Sequence, residues 1–272
     1  MTQWSALSRR AQALLTILGL IAVLAFGRPA LRWLWHRLVP PSRPMLPYGV
    51  LRVGIDASYP PFGVDPGDGQ LIGLDVDLAR AVADELGVEV QFVNMGYDGL
   101  YDSLKADQVD VLFSALRIDP LRTDDVRYST PYFDAGLVLV HADETPFDTM
   151  RALDGHAVAV AFGGAGDLEA RRWQRRLKRL DIQAHATSEE AIDAVLAGSA
   201  DAALVDTVSA RLWLREHQDA AHTLRIAPEG VTSDPYAAAV RWDNPRLQTA
   251  INRALDNLRE HGRLEAIIAR WL

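Results

Sequence analysis

Apolar residues recur along the chain at spacings that switch between those of strands and those of helices. The every-second-residue pattern at 51–55 predicts a strand, and the spacing of three or four over 74–86 predicts a helix. A strand at 88–93, a helix at 99–106 and a strand at 109–113 are predicted next. Such a β-α-β-α-β run favours a parallel sheet covered by helices.

The same rhythm begins again in the second half of the chain. We expect a strand at 158–162, helices at 167–180 and 189–196, and a strand at 202–205 that leads into another helix. Two α/β units in tandem predict two lobes. Helical spacing resumes near residue 247 and continues to the last residue.

The first residues have the pattern of an export segment. Residues 11–27 hold no charge and follow Arg9 and Arg10, as in a positively flanked signal sequence. The apolar part of this segment is shorter than the roughly 17 to 25 residues of a membrane-spanning helix. Its length therefore favours a signal sequence, with cleavage after Gly27.

The residues that follow favour the opposite outcome. Arginine and tryptophan recur at 28–38, and such side chains suit the interface of a retained membrane anchor. We expect residues 1–38 to form a retained signal/anchor helix, with cleavage as the alternative. The prolines of 39–49 predict a stiff linker between this helix and the folded body.

Composition and charge exclude several classes of function. The chain has no cysteine, so disulfides, thiolate metal sites and cysteine nucleophiles are ruled out. The arginine-rich first 48 residues contain no acid although the whole chain has a net charge of −8, so the body is acidic. An acidic body disfavours nucleic acid as a partner, because nucleic-acid binding needs a basic face.

Several short motifs follow one another in a specific order and spacing. They are Gly54-Ile-Asp-Ala-Ser-Tyr-Pro-Pro-Phe62, Gly73-Leu-Asp-Val-Asp-Leu78, Val109-Asp-Val-Leu-Phe-Ser114, Arg122 and Tyr128-Ser-Thr-Pro-Tyr132. Over about residues 50–272 the chain resembles bacterial extracellular solute-binding protein family 3, the polar amino-acid receptors of ABC importers. The resemblance implies an α/β, two-lobed type II periplasmic-binding-protein fold that follows the N-terminal hydrophobic helix.

In that fold the chain starts in one lobe, crosses to the other and returns. The resemblance therefore implies a first lobe at 50–142 and 233–272 and a second lobe at 143–232. The segments Leu137 to His141 and Tyr236 to Val240 are expected to be hinge strands. The ligand is expected to lie between the lobes, in a crevice at the strand ends.

Two residues are expected to bind the two charged ends of an amino acid. Arg122 stands where the family places the arginine that grips the ligand α-carboxylate, and a guanidinium offers two parallel donors to a carboxylate. The resemblance makes Asp206 the partner of the ligand ammonium. The structural alternatives are a surface arginine and an ordinary helix N-cap. Because the two residues belong to opposite lobes, closure would be coupled to binding.

The resemblance implies further ligand contacts from the first lobe. Asp56 and Tyr59 match the acid and aromatic residue that touch the ligand side chain, and Tyr97 matches the aromatic wall opposite, although Tyr59 as a core residue is an alternative. The loop Ser114-Ala115-Leu116 is expected to add hydrogen bonds from a hydroxyl and from the backbone.

The sequence departs from the family pattern at two places. Arg117 stands where relatives have Ser or Thr, and three interpretations stay open: it selects an acidic side chain or second anion, it pairs with Asp56, or it points to solvent. In the second lobe, the glycine-rich residues around Gly164 and Ala165 have no hydroxyl. Their bare backbone amides at a helix start favour an anion.

Other functions have weaker support in the sequence. The glycines at 164–166 lack the third glycine of a dinucleotide fingerprint, and the histidines show no metal-binding pair, so we expect neither a cofactor nor a metal. We expect no enzyme activity, although a dehydratase on the same scaffold is an alternative. A receptor for a separate membrane signalling partner is another.

The expected function is an extracytoplasmic receptor, anchored in the membrane by its N-terminal segment, that delivers a small-molecule amino acid to an ABC permease. With Arg122 balancing the α-carboxylate and Asp206 the ammonium, Asp56 and Arg117 are left to face the ligand side chain. This distribution of charge ranks acidic and amide side chains above basic ones.

Overall fold

Fourteen β-strands and seven α-helices form the regular structure of residues 44–145, 147–219 and 222–272, which are the residues described by this computed structural model. The strands are β1 (Val50–Ile55), β2 (Ser58–Tyr59), β3 (Gly63–Val64), β4 (Glu89–Asn94), β5 (Val111–Leu112), β6 (Val126–Tyr128), β7 (Phe133–Asp134), β8 (Leu137–Ala142), β9 (Ala157–Ala161), β10 (Asp181–His185), β11 (Ala202–Asp206), β12 (Leu224–Ile226), β13 (Pro235–Tyr236) and β14 (Ala239–Arg241). The helices are α1 (Leu74–Leu86), α2 (Leu100–Lys105), α3 (Ala165–Gln174), α4 (Ser188–Leu196), α5 (Thr207–Glu216), α6 (Pro245–Glu260) and α7 (Arg263–Trp271).

The first sheet has the strand order β4-β1-β5-β14-β6. Strands β4, β1 and β5 run parallel, and they are connected through α1 and α2 as the β-α-β-α-β pattern predicts. The alternating residues Leu51, Val53 and Ile55 of β1 are fully buried. Strand β14 returns from the far end of the chain and lies antiparallel to both β5 and β6.

The second sheet repeats this plan in the order β10-β9-β11-β8-β12. Strands β10, β9 and β11 are parallel, whereas β8 lies antiparallel between β11 and β12. Both faces of the sheet are covered: Val138 and Val140 of β8 pack in one apolar cluster, and Leu137 and Leu139 pack in another. Successive residues of a strand point to opposite faces, so a strand in this position is apolar on both faces, as in residues 137–140 of β8.

Two short strands join the segments that cross between the sheets. Strands β7 and β13 pair antiparallel, with Phe133 opposite Tyr236. Next to them, Gly136 lies so close to the other crossing segment that a Cβ atom there would come within 2.0 Å of the carbonyl oxygen of Thr232. The hydroxyl of Thr232 accepts the N–H of Leu137 at 2.9 Å. The two segments that cross between the sheets are therefore held tightly against each other, and together they form the hinge.

Several predicted boundaries differ from the structure. Strand β8 belongs to the second sheet, so the chain leaves the first lobe before residue 137 rather than after residue 142, and 137–141 is not a hinge strand. The expected hinge strand 236–240 is two strands, β13 in the hinge and β14 in the first sheet. An apolar run does not show which sheet it joins, because that depends on pairing partners distant in sequence.

The helix expected at 167–180 begins earlier, at Ala165, and ends at Gln174. Residues 181–185 form β10, an edge strand that the sequence did not predict because its side chains are only partly buried and its alternation is weak. Among the helices of the described residues, none is long and apolar enough to cross a membrane. The predicted helix 1–38 lies outside the described residues, and the linker 39–49 is described only from Pro44 onwards.

Candidate functional site

A cavity of about 390 Å³ opens where the carboxyl ends of three parallel strands meet. Asp56 follows β1, Tyr97 follows β4 and Ser114 follows β5. Because these strands are neighbours in the first sheet and run in the same direction, the residues after them gather at one edge. Six of the residues selected from the sequence line this cavity: Asp56, Tyr59, Tyr97, Ser114, Ala115 and Arg117.

Asp56 connects the loops around the cavity. Its Oδ1 accepts the N–H and the hydroxyl of Ser58 at 3.0 and 2.7 Å, and its Oδ2 accepts the N–H of Tyr97 at 3.0 Å. The N–H of Asp56 donates to the hydroxyl of Ser114 at 3.0 Å. The carboxylate therefore binds neutral donors in this structure, and no cation of the described residues forms an ion pair with it.

A buried acid, Asp75, binds the backbone of the loop after β5. Ala115 has a left-handed backbone with φ of 46°, and its N–H donates to Oδ2 of Asp75 at 2.6 Å. Asp75 is fully buried, and burial raises its pKa to about 7, although the neighbouring Tyr132 hydroxyl and the hydrogen bond from the Ala115 N–H both act to lower it. Sequence reasoning gave Asp75 no role, although its place on the apolar face of α1, with Leu78 and Val82, was a usable signal.

Arg117 is largely exposed to solvent, but it pairs with an acid other than Asp56. Its Nε is 2.8 Å from Oδ2 of Asp234. Asp234 belongs to the return crossing, the segment around β13 that leads from the second sheet back to the first, and it was not selected from the sequence. The backbones meet as well, since Arg117 forms an isolated antiparallel bridge with Tyr236. Tyr236 lines the same cavity and was also missed. No local signal identifies Asp234 or Tyr236, because Tyr236 reaches the cavity, and Asp234 reaches Arg117, only through the hinge.

Leu116 stays behind the cavity wall. It is fully buried, and its carbonyl oxygen accepts the N–H of Ala237 at 2.9 Å. Its contribution is to attach the loop after β5 to the return crossing.

Arg122 borders a second, adjoining cavity of about 540 Å³. Tyr97 and Arg117 line both cavities and thus form their common wall. The guanidinium of Arg122 lies 4.2 Å from the centre of the Tyr101 ring, and its Nε is 3.5 Å from the Asp119 carboxylate. The side chain is half-exposed, which leaves it accessible to an anion.

The residues selected in the second lobe lie at the corresponding edge of the second sheet and border neither of these two cavities. Asp206 ends β11 and caps α5: its carboxylate accepts the N–H and the hydroxyl of Ser209 at 2.9 and 2.7 Å. Gly164 and Ala165 follow β9, which is the parallel neighbour of β11, and α3 begins at Ala165.

The glycine-rich loop before α3 already holds one carboxylate of the chain itself. The N–H of Gly163 donates to Asp167 at 3.0 Å, and this bond, opposed by burial and assisted by Arg171, holds the pKa of Asp167 below its usual value. A Cβ atom at Gly166 would come within 2.2 Å of the carbonyl oxygen of Leu204. Glycine at 166 is therefore required by packing of α3 against β11.

Comparison with known proteins identifies the family of this chain. The model of the bacterial extracellular solute-binding proteins, family 3, matches residues 51–272. The chain therefore belongs to this family, as the motifs predicted.

Relatives and solved structures agree with this assignment. The chain is 28% identical over 226 residues to the L-cystine-binding protein TcyJ of Escherichia coli strain K12, covering 82% of each protein. It is 29% identical over 228 residues to the lysine/arginine/ornithine-binding periplasmic protein of the same strain, covering 81% of this chain and 86% of the relative. A crystal structure of an ancestral cyclohexadienyl dehydratase is 27% identical with a TM-score of 0.68 and covers 82% of this chain and 92% of that one. The two-lobed α/β fold is confirmed.

Proposed function

We propose that this protein is an extracytoplasmic receptor that captures a polar amino acid between its lobes and delivers it to an ABC importer. The observation that carries the proposal is the convergence of Asp56, Tyr97 and Ser114 on one cavity at the carboxyl ends of parallel strands, in a chain of the family 3 solute-binding proteins. The relatives named above bind cystine, or lysine, arginine and ornithine, by their names. These are amino acids with polar or charged side chains.

The arrangement of charges supports a specific binding mode. Arg122 would bind the α-carboxylate in the second cavity, while the side chain of the ligand extends past Tyr97 into the first. Asp206 would approach the ammonium when the second lobe closes about the β7–β13 pair. Neither lobe alone then satisfies both ends of the zwitterion, so binding would stabilise the closed form.

A thermal-shift screen of the purified protein against the proteinogenic amino acids and cystine tests this function. A ligand at 100 times its dissociation constant stabilises the folded protein by about 2.7 kcal/mol, which is visible as a higher melting temperature. If no amino acid raises the melting temperature or releases heat in calorimetry, the proposed function is wrong.

The variant Asp206→Asn is expected to bind the preferred amino acid at least tenfold more weakly, a loss of about 1.4 kcal/mol. The substitution removes the negative charge but keeps the N-cap, because Asn and Asp cap helices about equally well. Isothermal titration calorimetry measures the change. As a second probe, the des-amino analogue of the ligand should bind the parent protein weakly, and equal affinity for analogue and amino acid would contradict the role of Asp206.

We also propose that the protein is not an enzyme. Asp56 is the only acid among the described residues that line the first cavity, and both of its carboxylate oxygens accept hydrogen bonds from neighbouring backbone and hydroxyl groups. A dehydratase needs a general acid free to protonate a leaving group. Recovery of the bound amino acid chemically unchanged after long incubation tests this proposal.

The N-terminal segment is expected to remain on the protein and hold it at the outer face of the membrane, where the permease is its partner. The expectation rests on the arginine- and tryptophan-rich sequence at 28–38. Mass spectrometry of protein isolated from membranes should detect peptides from residues 1–27. A mature chain that begins at Arg28 would show instead that the segment is a cleaved signal sequence.

A further inference from the structure

We propose that Asp234 is a specificity-determining residue: by pairing with Arg117 on the cavity wall, it makes the site favour ligand side chains that carry no negative charge. The proposal rests on the function proposed above and concerns the same cavity. The sequence alone had ranked acidic and amide side chains first, on the premise that the charge of Arg117 is free to meet the ligand.

The Arg117–Asp234 pair is fixed by its surroundings. The Nε of Arg117 lies 2.8 Å from Oδ2 of Asp234, and the two backbones are held together next to this contact. Arg117 bridges to Tyr236, and the N–H of Ala237 donates to Leu116 at 2.9 Å. The two charges therefore stay neighbours because of the main chain.

The hinge holds Asp234 in place. Its N–H donates to Oδ1 of Asp134 at 2.7 Å, and its carbonyl oxygen accepts the N–H of Ala135 at 3.0 Å. Burial opposes ionisation of Asp134, but bonds from the Ser233 hydroxyl and from the N–H groups of Asp234 and Gly136 keep its pKa below the usual value. The carboxylates of Asp134 and Asp234 thus belong to one hinge, and Arg117 pairs with the second of them.

Arg117 is the member of the pair that a ligand can reach. It lines both cavities and its side chain is 69% exposed, whereas Asp234 lines neither of them and its side chain is 29% exposed. A ligand would contact Arg117 directly, whereas Asp234 would act on the ligand by neutralising the charge of Arg117. Both residues also lie within electrostatic reach of Tyr236 on the cavity wall: burial raises the pKa of Tyr236, the nearby negative charge of Asp234 adds to the rise, and the positive charge of Arg117 opposes it.

The Arg117–Asp234 pair changes the balance of charge around the ligand side chain. Among the described residues that line the first cavity, the charged ones are Asp56 and Arg117. Because Asp234 neutralises Arg117, the Asp56 carboxylate remains as uncompensated negative charge. An acidic side chain would meet repulsion there, whereas a neutral polar or cationic side chain would not. Removing Asp234 frees Arg117 and should reverse this preference.

The experiment compares glutamate and arginine as ligands of the full-length protein purified in detergent. Isothermal titration calorimetry, with competition against the preferred amino acid for weak ligands, gives the ratio of the glutamate Kd to the arginine Kd. In the parent this ratio is expected to exceed one. In Asp234→Asn it should fall at least tenfold, because Asn keeps the backbone bonds of the hinge but no longer neutralises Arg117.

A second variant gives an independent and opposite result. Arg117→Ser leaves the negative charges of Asp56 and Asp234 in place, so the ratio of the two Kd values should rise at least threefold. In the double variant, Asp234→Asn should no longer lower the ratio by tenfold, because Arg117 is absent. The control is Asp256→Asn, which removes an acid from an exposed arginine pair on α6, away from both cavities, and should leave the ratio unchanged.

The outcomes separate this proposal from the proposed function. If no amino acid binds the parent protein, the receptor function itself is wrong. If amino acids bind but the ratio changes less than twofold in both Asp234→Asn and Arg117→Ser, the receptor function stands and the role of Asp234 is overturned. A parent protein that binds glutamate more tightly than arginine also overturns it. If Asp234→Asn does not fold, the direction of change in Arg117→Ser decides alone.

Discussion

Replacing Arg122 with alanine is expected to abolish amino-acid binding while the protein stays folded. Two charge-assisted hydrogen bonds to the α-carboxylate are each worth roughly 1.5 to 3 kcal/mol, so their loss weakens binding by at least about 100-fold. The fold should tolerate the change because the side chain is half-exposed and contacts only Asp119 and the face of Tyr101 among the contacts described. Calorimetry with the preferred amino acid measures the effect.

Two companion variants make this result specific to the guanidinium. Arg122→Lys keeps the charge but offers no planar pair of donors, so binding should be partly retained. Arg253→Ala removes an exposed arginine from α6 and should bind as the parent does. An affinity for Arg122→Ala within threefold of the parent value would rule out this arginine as the carboxylate partner.

The second large effect is expected in the pH dependence of folding stability, because the pKa of Asp75 differs between the folded and unfolded protein. Burial raises the pKa of this carboxyl in the folded protein to about 7, whereas in the unfolded chain it is about 3.9. Between these values the folded state holds a proton that the unfolded state has released. The contribution of Asp75 to the free energy of unfolding is therefore complete below about pH 4 and is lost as the pH rises through about 7.

The variant Asp75→Asn cannot ionise and should not show this loss. Its amide still offers an oxygen to the N–H of Ala115 and an NH₂ group towards Tyr132. Relative to the parent, its free energy of unfolding should increase by roughly 4 kcal/mol between pH 4 and pH 8, at about 1.4 kcal/mol per pKa unit. Urea unfolding of residues 46–272, which form one compact unit, measures the difference at each pH.

Asp84→Asn is the matched control for Asp75→Asn, because Asp84 lies on the same helix but its side chain is 73% exposed. Its stability should follow the parent curve across the pH range. If the curves of Asp75→Asn and the parent also run parallel, Asp75 is ionised in the folded protein and the buried carboxyl does not hold a proton near neutral pH.

Much of the fold could be predicted because its elements are defined by local patterns. The alternation in β1 and the three-and-four spacing in α1 specify a strand and a helix within a few residues each. The predicted β-α-β-α-β order then fixes the parallel arrangement, since a crossover through a helix returns the next strand in the same direction. The weakly amphipathic edge strand β10 and the sheet to which β8 belongs were not predictable in this way.

The candidate site was likewise predictable only in part. The sequence by itself determined that Asp56, Tyr97 and Ser114 follow three strands of one parallel unit, and parallel strands place such residues at a common edge. The tertiary structure alone decided which charge meets Arg117. Asp234 reaches that guanidinium because β7 and β13 pair and carry the return crossing past the cavity. Burial likewise raised the pKa of Asp75. Desolvation depends on every element packed around a group, so the neighbouring sequence does not reveal it.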